Sequence, residues 1–468
     1  MELAEVPAAG DGETAIVTAT PQFSRDSLAL FCDEYEITMA QSFWLHRQNE
    51  RACFELTVRH LPPHRGFLVV AGLEQALAFL AKLRFSADDL AYLASTERFD
   101  PGFIATLGWL RFTGDVRAIP EGTIVGAETP LLQIIAPRIE ATLVESALLS
   151  IINHQTTIAT KASRVADAAR GRPVWDFSLR RVHGPHAALG VARAAYIGGA
   201  AGTATVAAGQ RFGIPTTGTM AHHYILRFGQ AGEQQAFEQF LRDYPGRSVL
   251  LIDTFDTLRG VDRAIAASRA TGVTLAGVRI DSGPLLELSS AVRHRLDDAG
   301  MRDTEIVASG DLDEYRIDAL VIAGAPIDSF GVGTMLGTSA DAPALGGIYK
   351  LVAQEERGEM RPVMKHSIDK ANDPGVHQVF RVAYHDVLAL DGEALEGRPL
   401  LQPVMRDGRR LEPLPSLQAS RDRCHTELTA VPAPMRRLSD PVPWQVMRSA
   451  RLVALRSVLT GESIESVV

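Results

Sequence analysis

The hydrophobic pattern changes period several times along the first 150 residues. The stretch FSRDSLALFCDEYEITMAQSFWLHR spaces apolar and aromatic side chains as a helix, and RGFLVVAG reads as a short buried strand. VRAIPEGTIVGAETPLLQIIAP is broken by Pro and Glu-Gly turn signals into two or three strands. IEATLVESALLSIINHQTTIATKASRVADAA then keeps helical spacing for about eight turns, which predicts one long connecting helix. Residues 21–150 read as an N-terminal α+β domain, and residues 1–20, polar and aperiodic, as a disordered tail.

From Pro173 the texture is different. Short β-type runs recur as PVWDFS, IPTTGT, SVLLID, LAGVRID, EIVASG and DSFGVG, the last five roughly every 23–33 residues. Amphipathic segments such as EQQAFEQFLRDY and DTLRGVDRAIAASRA lie between them. A repeated βα unit implies a parallel sheet with right-handed crossovers. Nearly every run ends in a polar or Gly-rich cluster, which favours an irregular, partly closed α/β barrel over residues 151–345 rather than a doubly wound sheet. Barrels gather their chemistry at strand C-termini. After Gly346 the pattern loosens. GGIYKLVA and HQVFRVAYHDVLAL are strand-like, a Pro-rich stretch follows, and WQVMRSARLVALRSVL closes the chain as a helix. The 346–468 region is expected to pack back on the N-terminal domain.

Composition narrows the partners. A formal net charge of −9 gives no global basic field for nucleic acid or an anionic membrane, so any phosphate must be gripped locally. No apolar run nears the ~20 residues that span a bilayer, and the first residues lack the basic and apolar regions of a signal peptide. Cys32, Cys53 and Cys424 have no paired spacing, which argues against a disulfide framework or a zinc site and fits a reducing, cytoplasmic location. Lysine is rare, yet Lys350, Lys365 and Lys370 fall close together. Codon bias explains an arginine excess but not that grouping.

Six clusters fall where βα strands should stop. Asp176-Phe177-Ser178-Leu179-Arg180-Arg181 sets an aromatic plane beside two guanidiniums, and Gly218-Thr219-Met220-Ala221-His222-His223 places a histidine pair after a tight turn. Asp253-Thr254-Phe255-Asp256 carries two carboxylates, and Arg279-Ile280-Asp281-Ser282-Gly283 a cation, an acid and a hydroxyl. Ser309-Gly310-Asp311 and Gly331-Val332-Gly333-Thr334 offer backbone amides of the kind that cradle phosphate. Each also has a plain structural reading: a turn, a surface histidine pair, or helix caps at Asp253, Asp256, Asp281 and Ser282. Convergence on one barrel rim is what favours chemistry. Arginines bind phosphate and carboxylate, and a Phe face stacks a planar ring. Neither a Gly-x-x-x-x-Gly-Lys-Ser/Thr loop nor a Gly-x-Gly-x-x-Gly fingerprint is present.

Taken together, EYEITMAQSFW, FELTVRHLPPHRGFLVVAGLEQAL, DFSLRRVHGP, YIGGAAGT, FGIPTTGTMAHH, LLIDTFDT, GVRIDSG, VASGDLDEY, DSFGVGT and GGIYKLV resemble, in order and spacing, the nicotinate phosphoribosyltransferase family. The resemblance implies the barrel of type II phosphoribosyltransferases. It also implies transfer of a phosphoribosyl group from phosphoribosyl pyrophosphate to nicotinate, with ATP as co-substrate and Mg²⁺ on the pyrophosphate. His222, rather than His223, corresponds to the histidine that is transiently phosphorylated. Arg279 should contact nicotinate with Asp281 beside it and Thr219 by the ring. Phe177 should stack on one face, and Tyr35 of a second subunit on the other, which implies a homodimer with shared active sites. Arg180, Ser309, Gly310, Gly331, Gly333 and Thr334 should hold phosphoribosyl phosphates.

The sequence departs from the family pattern at His223, where Ser is usual, at Pro284, where Asp is usual, and at His377 in Pro-Gly-Val-His, where Lys is usual. A phosphate contact at His377 is expected to be weaker for it. The related nicotinamide phosphoribosyltransferases carry Gly-Thr-Asp-Thr where this chain has Gly202-Thr203-Ala204-Thr205. Alanine there removes the acceptor for a ring amide, which favours nicotinate. Quinolinate would call for more cations. An inactive pyridine-nucleotide-binding scaffold is the reading from another functional class, and the intact His222, Arg279, Asp281 and Arg180 argue against it.

Overall fold

A computed structural model describes residues 28–365, 372–411 and 414–461. The tail expectation for residues 1–20 and Lys370 lie outside them. Two sheets organise the molecule. The larger, seven-stranded sheet runs Glu359–Pro362, Gly347–Glu356, Arg51–Val58, Leu132–Pro137, Asp115–Ala118, Gln402–Arg406 and Arg409–Arg410. Strands from the start of the chain thus pair antiparallel with strands from its last third: Leu56 opposite Tyr349, and Arg117 opposite Pro403. This is the packing back expected of the C-terminal region. Leu56, Val116, Leu132 and Ile134 pack beneath this sheet in a core with Phe103 and Leu107.

The second sheet is parallel throughout its six strands, in the order Gly202–Thr203, Val174–Asp176, Ser329–Val332, Glu305–Ala308, Gly277–Ile280 and Val249–Leu251. Its inner positions, Val278, Ile280, Ile306, Phe330 and Val332, form a separate core with the surrounding helices. The run IPTTGT is not a full strand here. It contributes one parallel bridge, Thr216 to Thr203, on the edge strand Gly202–Thr203, which the pattern reading did not assign. From that bridge the chain crosses to the opposite edge. Arg279 Nη1 donates to Thr219 Oγ1 at 3.0 Å, and His222 Nδ1 lies 3.1 Å from Thr254 Oγ1. The sheet therefore curls until its two edges meet through side chains rather than strand pairing, which is a partly closed barrel.

Helix ends follow the local chemistry. Asp33 opens Glu34–Leu45 in a reciprocal capping box with Glu36, so over the described residues the helix starts at Glu34 rather than running through from Leu28 as the apolar spacing suggests. The long helix breaks at Leu143–Val144 into Arg138–Thr142 and Glu145–Ala168. Lys161, fully buried on the longer piece, bonds Glu314 at 2.5 Å and Asp341 at 2.8 Å, and Arg164 bonds the other Glu314 oxygen at 2.9 Å. Glu314 begins the helix Glu314–Ile322 that follows the Ser309-Gly310-Asp311 loop. Lys161, Arg164, Glu314 and Asp341 are thus paired to one another, which is the condition for burying them.

Candidate active site

The six clusters converge at the C-terminal ends of the parallel strands, and Arg279 is their centre. It occupies the third position of Gly277–Ile280 with its side chain only 12% exposed. Nε donates to Ser309 Oγ at 2.8 Å, Nη1 to Thr219 Oγ1 at 3.0 Å and to the Met220 carbonyl at 3.4 Å, and Nη2 to Asp281 Oδ1 at 2.8 Å. Its guanidinium carbon stands 5.5 Å from the centre of the Phe177 ring, a cation–π distance. A guanidinium has five N–H donors, so one Nη2 hydrogen is left over. Bidentate pairing with a substrate carboxylate would require Asp281 or Thr219 to give way.

Asp281 is the hinge between that cation and His222. Its Oδ1 also accepts from Ser309 Oγ at 2.5 Å, and its Oδ2 stands 3.7 Å from His222 Nε2. Partial burial works to raise the carboxyl pKa, but the bonds from Arg279 and Ser309 and the charges nearby outweigh it and hold Asp281 below its ordinary value. His222 opens the one-turn helix His222–Leu226 and is part-exposed. Its ring is aimed by two neighbours, Thr254 on Nδ1 and Asp281 on the Nε2 side. His223 makes none of these contacts.

The helix-cap readings divide cleanly. Asp256 does cap, accepting from Arg259 N at 2.8 Å ahead of Thr257–Thr271. Asp253 does not. Its Oδ2 accepts from Asp281 N at 3.0 Å and Ser282 Oγ at 2.6 Å, while its Oδ1 is buried without a partner. The next helix, Leu285–Asp298, starts behind Pro284 with no side-chain cap, so Asp281 and Ser282 are spent on the rim instead. Asp253 and Thr254 were within a recognised cluster but had no assigned role. Only the adjacency of the strands Val249–Leu251 and Gly277–Ile280 reveals it.

Two glycines are required by close approach. A Cβ on Gly310, at φ +91°, would sit 1.8 Å from the Asp281 carbonyl, and one on Gly331 would sit 2.4 Å from the Phe177 ring. Gly333 precedes the single turn Thr334–Gly337, and Arg180 lies exposed on the short turn Leu179–Arg181. A cavity of about 500 Å³ opens beside Asp281, Ser309 and Gly310. Below Phe177, buried Asp176 accepts from Ser178 Oγ and Thr203 Oγ1, and burial raises its pKa.

Two expected residues are elsewhere. Tyr35 is on Glu34–Leu45, where burial and then the Glu145 carboxylate push its hydroxyl pKa up to about 12. Its neighbours there, Glu145, Glu36 and Asp33, belong to the N-terminal domain rather than the rim. His377 is corrected outright. It is fully buried, with Nδ1 2.8 Å from Glu55 Oε2, and so ties His377–Val382 to Arg51–Val58 instead of facing a phosphate. Among the described residues no helix is long and apolar enough to cross a membrane.

Known proteins are similar to this chain over most of its length. Models of the nicotinate phosphoribosyltransferase N-terminal domain, of the nicotinate phosphoribosyltransferase family and of its C-terminal domain match residues 30–153, 173–386 and 369–456. A nicotinate phosphoribosyltransferase of Mycobacterium tuberculosis is 48% identical over 448 residues, 93% of this chain and 95% of that one. One from Bacillus subtilis is 42% identical over 366 residues, covering 77% and 74%. The crystal structure of human nicotinic acid phosphoribosyltransferase matches with a TM-score of 0.80 at 28% identity, over 92% of this chain and 99% of that one. With the rim clusters all inside the matched segments, the chain belongs to the nicotinate phosphoribosyltransferase family.

Proposed function

We propose that the rim joins nicotinate to phosphoribosyl pyrophosphate, forming nicotinate mononucleotide and pyrophosphate, with ATP hydrolysis coupled through a phosphoryl group carried by His222. The observation that carries this reading is the Arg279 array: one cation fixed by Thr219, Ser309 and Asp281 above the Phe177 ring. It offers an aromatic acid both a charge and a plane. The nicotinate ring nitrogen attacks the ribose C1 as the C1–O bond to pyrophosphate breaks, through an oxocarbenium-like state. The chain's part is to hold the two in line and receive the departing charge at Arg180, the Ser309-Gly310 loop and the Gly331–Thr334 loop. In the coupled step a His222 ring nitrogen attacks the γ-phosphorus of ATP and ADP leaves. Water later takes the phosphoryl group as orthophosphate. A neutral imidazole is a competent nucleophile near pH 7.

Mg²⁺ would neutralise charge on the pyrophosphate oxygens. The rim carboxylates of Asp253 and Asp281 are oxygen ligands of the kind such an ion takes beside substrate phosphates. A homodimer is part of the proposal. Tyr35 and Met39, about one turn apart on Glu34–Leu45, are exposed, as are Leu28 and Phe31 in the segment before that helix, an apolar surface suited to a second copy of the chain. We place the reaction in the cytoplasm, on the cysteine usage. The test is turnover with nicotinate or nicotinamide, phosphoribosyl pyrophosphate and labelled ATP. Nicotinate should be strongly preferred, and acid-labile, base-stable label should appear on wild-type chain but not on His222→Ala. Use of both bases within threefold of each other, or label persisting on His222→Ala, would overturn it.

A further inference from the structure

The opposite end of the barrel holds a second basic cavity. It measures about 570 Å³ and lies where Pro173 and Ala201 lead into the strands Val174–Asp176 and Gly202–Thr203, between the barrel and the helices Leu417–Ala430 and Ala433–Arg436. The rim residues sit at the C-terminal ends of the same strands, so the two openings are separated by the length of the sheet. Ligand cavities of about 300–1,000 Å³ are of the size that takes a small metabolite.

Its wall carries Arg170, Arg172, Arg421 and Arg436. Three of these are engaged. Arg436 Nη1 bonds Asp167 at 2.6 Å, and Arg170 Nη2 bonds Asp318 at 3.0 Å. Arg421 Nη1 donates to the Tyr196 carbonyl at 2.8 Å and to the Ala200 carbonyl, which neutralises the negative end of the helix Pro185–Ile197 where it reaches the cavity. Arg172 is different: it is part-exposed, and its Nη1 is buried with no hydrogen-bond partner among the described residues. The four guanidiniums outnumber by one the carboxylates of Asp167, Asp422 and Asp318. In a chain of net charge −9, a cavity wall with one guanidinium in excess, and with Arg172 part-exposed and paired to no carboxylate among the described residues, suits an anion. Gly171 and Gly199, both at positive φ, contribute backbone without a side chain to the wall.

We infer that this cavity is a second ligand site, distinct from the rim, which binds a small phosphorylated metabolite of nucleotide size through Arg172 and Arg170. Phosphate oxygens would pair with the part-exposed Arg172 guanidinium, and the remaining volume would hold the organic part. The shared chemistry is the phosphate, whether on a nucleotide or as inorganic polyphosphate.

Equilibrium dialysis of the full-length protein against labelled adenosine monophosphate, and separately against labelled pyrophosphate, tests the inference. Arg172→Gln removes the charge inside the cavity, and Arg170→Gln, at an exposed position, removes charge at its mouth with little risk to folding. At least a tenfold loss of affinity for one probe in both variants, with kcat and KM at the rim within twofold of wild type, is the expected result. Loss for the nucleotide alone identifies a nucleotide site, and loss for pyrophosphate alone an inorganic one. Equal binding by wild type and both variants, displacement of the nucleotide by unphosphorylated adenosine, or no binding beyond the rim overturns it.

Discussion

At the scale of single residues, Arg279 bears on specificity most directly. Replacing it with Lys keeps a positive charge but cannot reach Thr219, Ser309 and Asp281 at once, because an ammonium lacks the planar fork. Charge-assisted hydrogen bonds contribute about 1.5–3 kcal/mol. Arg279→Lys should therefore raise the nicotinate KM about 10- to 100-fold in steady-state assays, and an unchanged KM would assign Arg279 to holding Asp281 alone. Thr254 acts through His222. Thr254→Val leaves the histidine ring without its Nδ1 neighbour, and the rate of label transfer from ATP to His222 should fall about tenfold. If label accumulates at the wild-type rate, Thr254 does not aim the ring. In the sequence, strand-end position marked the clusters that hold Arg279, Asp281 and His222, and the family resemblance singled out these residues within them. The sequence could not separate Asp253 from Asp256, since both carboxylates lie shortly before the following helix and only sheet adjacency tells a rim hydrogen bond from a cap.

At the scale of elements, His377 is informative because the sequence suggests a weakened phosphate contact there and the structure has a buried ion pair. Burial acts to lower its pKa, but the Glu55 carboxylate outweighs it and holds the imidazole above its ordinary value. A raised histidine pKa means stabilisation that is complete below about pH 6.5 and is lost as pH rises through the folded value. Breaking a buried pair by removing one partner costs about 3–5 kcal/mol. His377→Ala should lower the urea midpoint most near pH 6, as an order-of-magnitude condition set by the free histidine, and less at alkaline pH. The KM for phosphoribosyl pyrophosphate should stay within twofold. A tenfold rise in that KM without lost stability would restore the phosphate role. Periodicity revealed the βα repeat and the strands after Pro173, because their cores are continuous apolar runs. It missed Gly202–Thr203 and overextended IPTTGT, since a two-residue edge strand has too few positions to show a period. It also placed the first helix too early, where a capping box at Asp33 overrides the apolar spacing.

At the scale of the whole molecule, Tyr35 and the rim belong to different regions of one chain, and the proposed site needs both. Mixing Tyr35→Ala with His222→Ala under conditions of subunit exchange should restore about a quarter of wild-type activity. Half the dimers would be mixed, and each would carry one intact site of two. No recovery at any mixing ratio would show that each site is built from a single chain. The seven-stranded sheet has a further consequence, for biosynthesis. Arg51–Val58 waits for Gly347–Glu356, and Asp115–Ala118 for Gln402–Arg406, before either is paired on its second side. At translation rates of about 5–20 residues per second, those edges stay open on the ribosome for roughly 15–60 s. Open edges are templates for wrong pairing. The N-terminal domain is thus the part of the nascent chain that most needs shielding by a chaperone, and a truncation that stops before Gly347 should emerge aggregation-prone even though its sequence includes every residue assigned to the barrel rim.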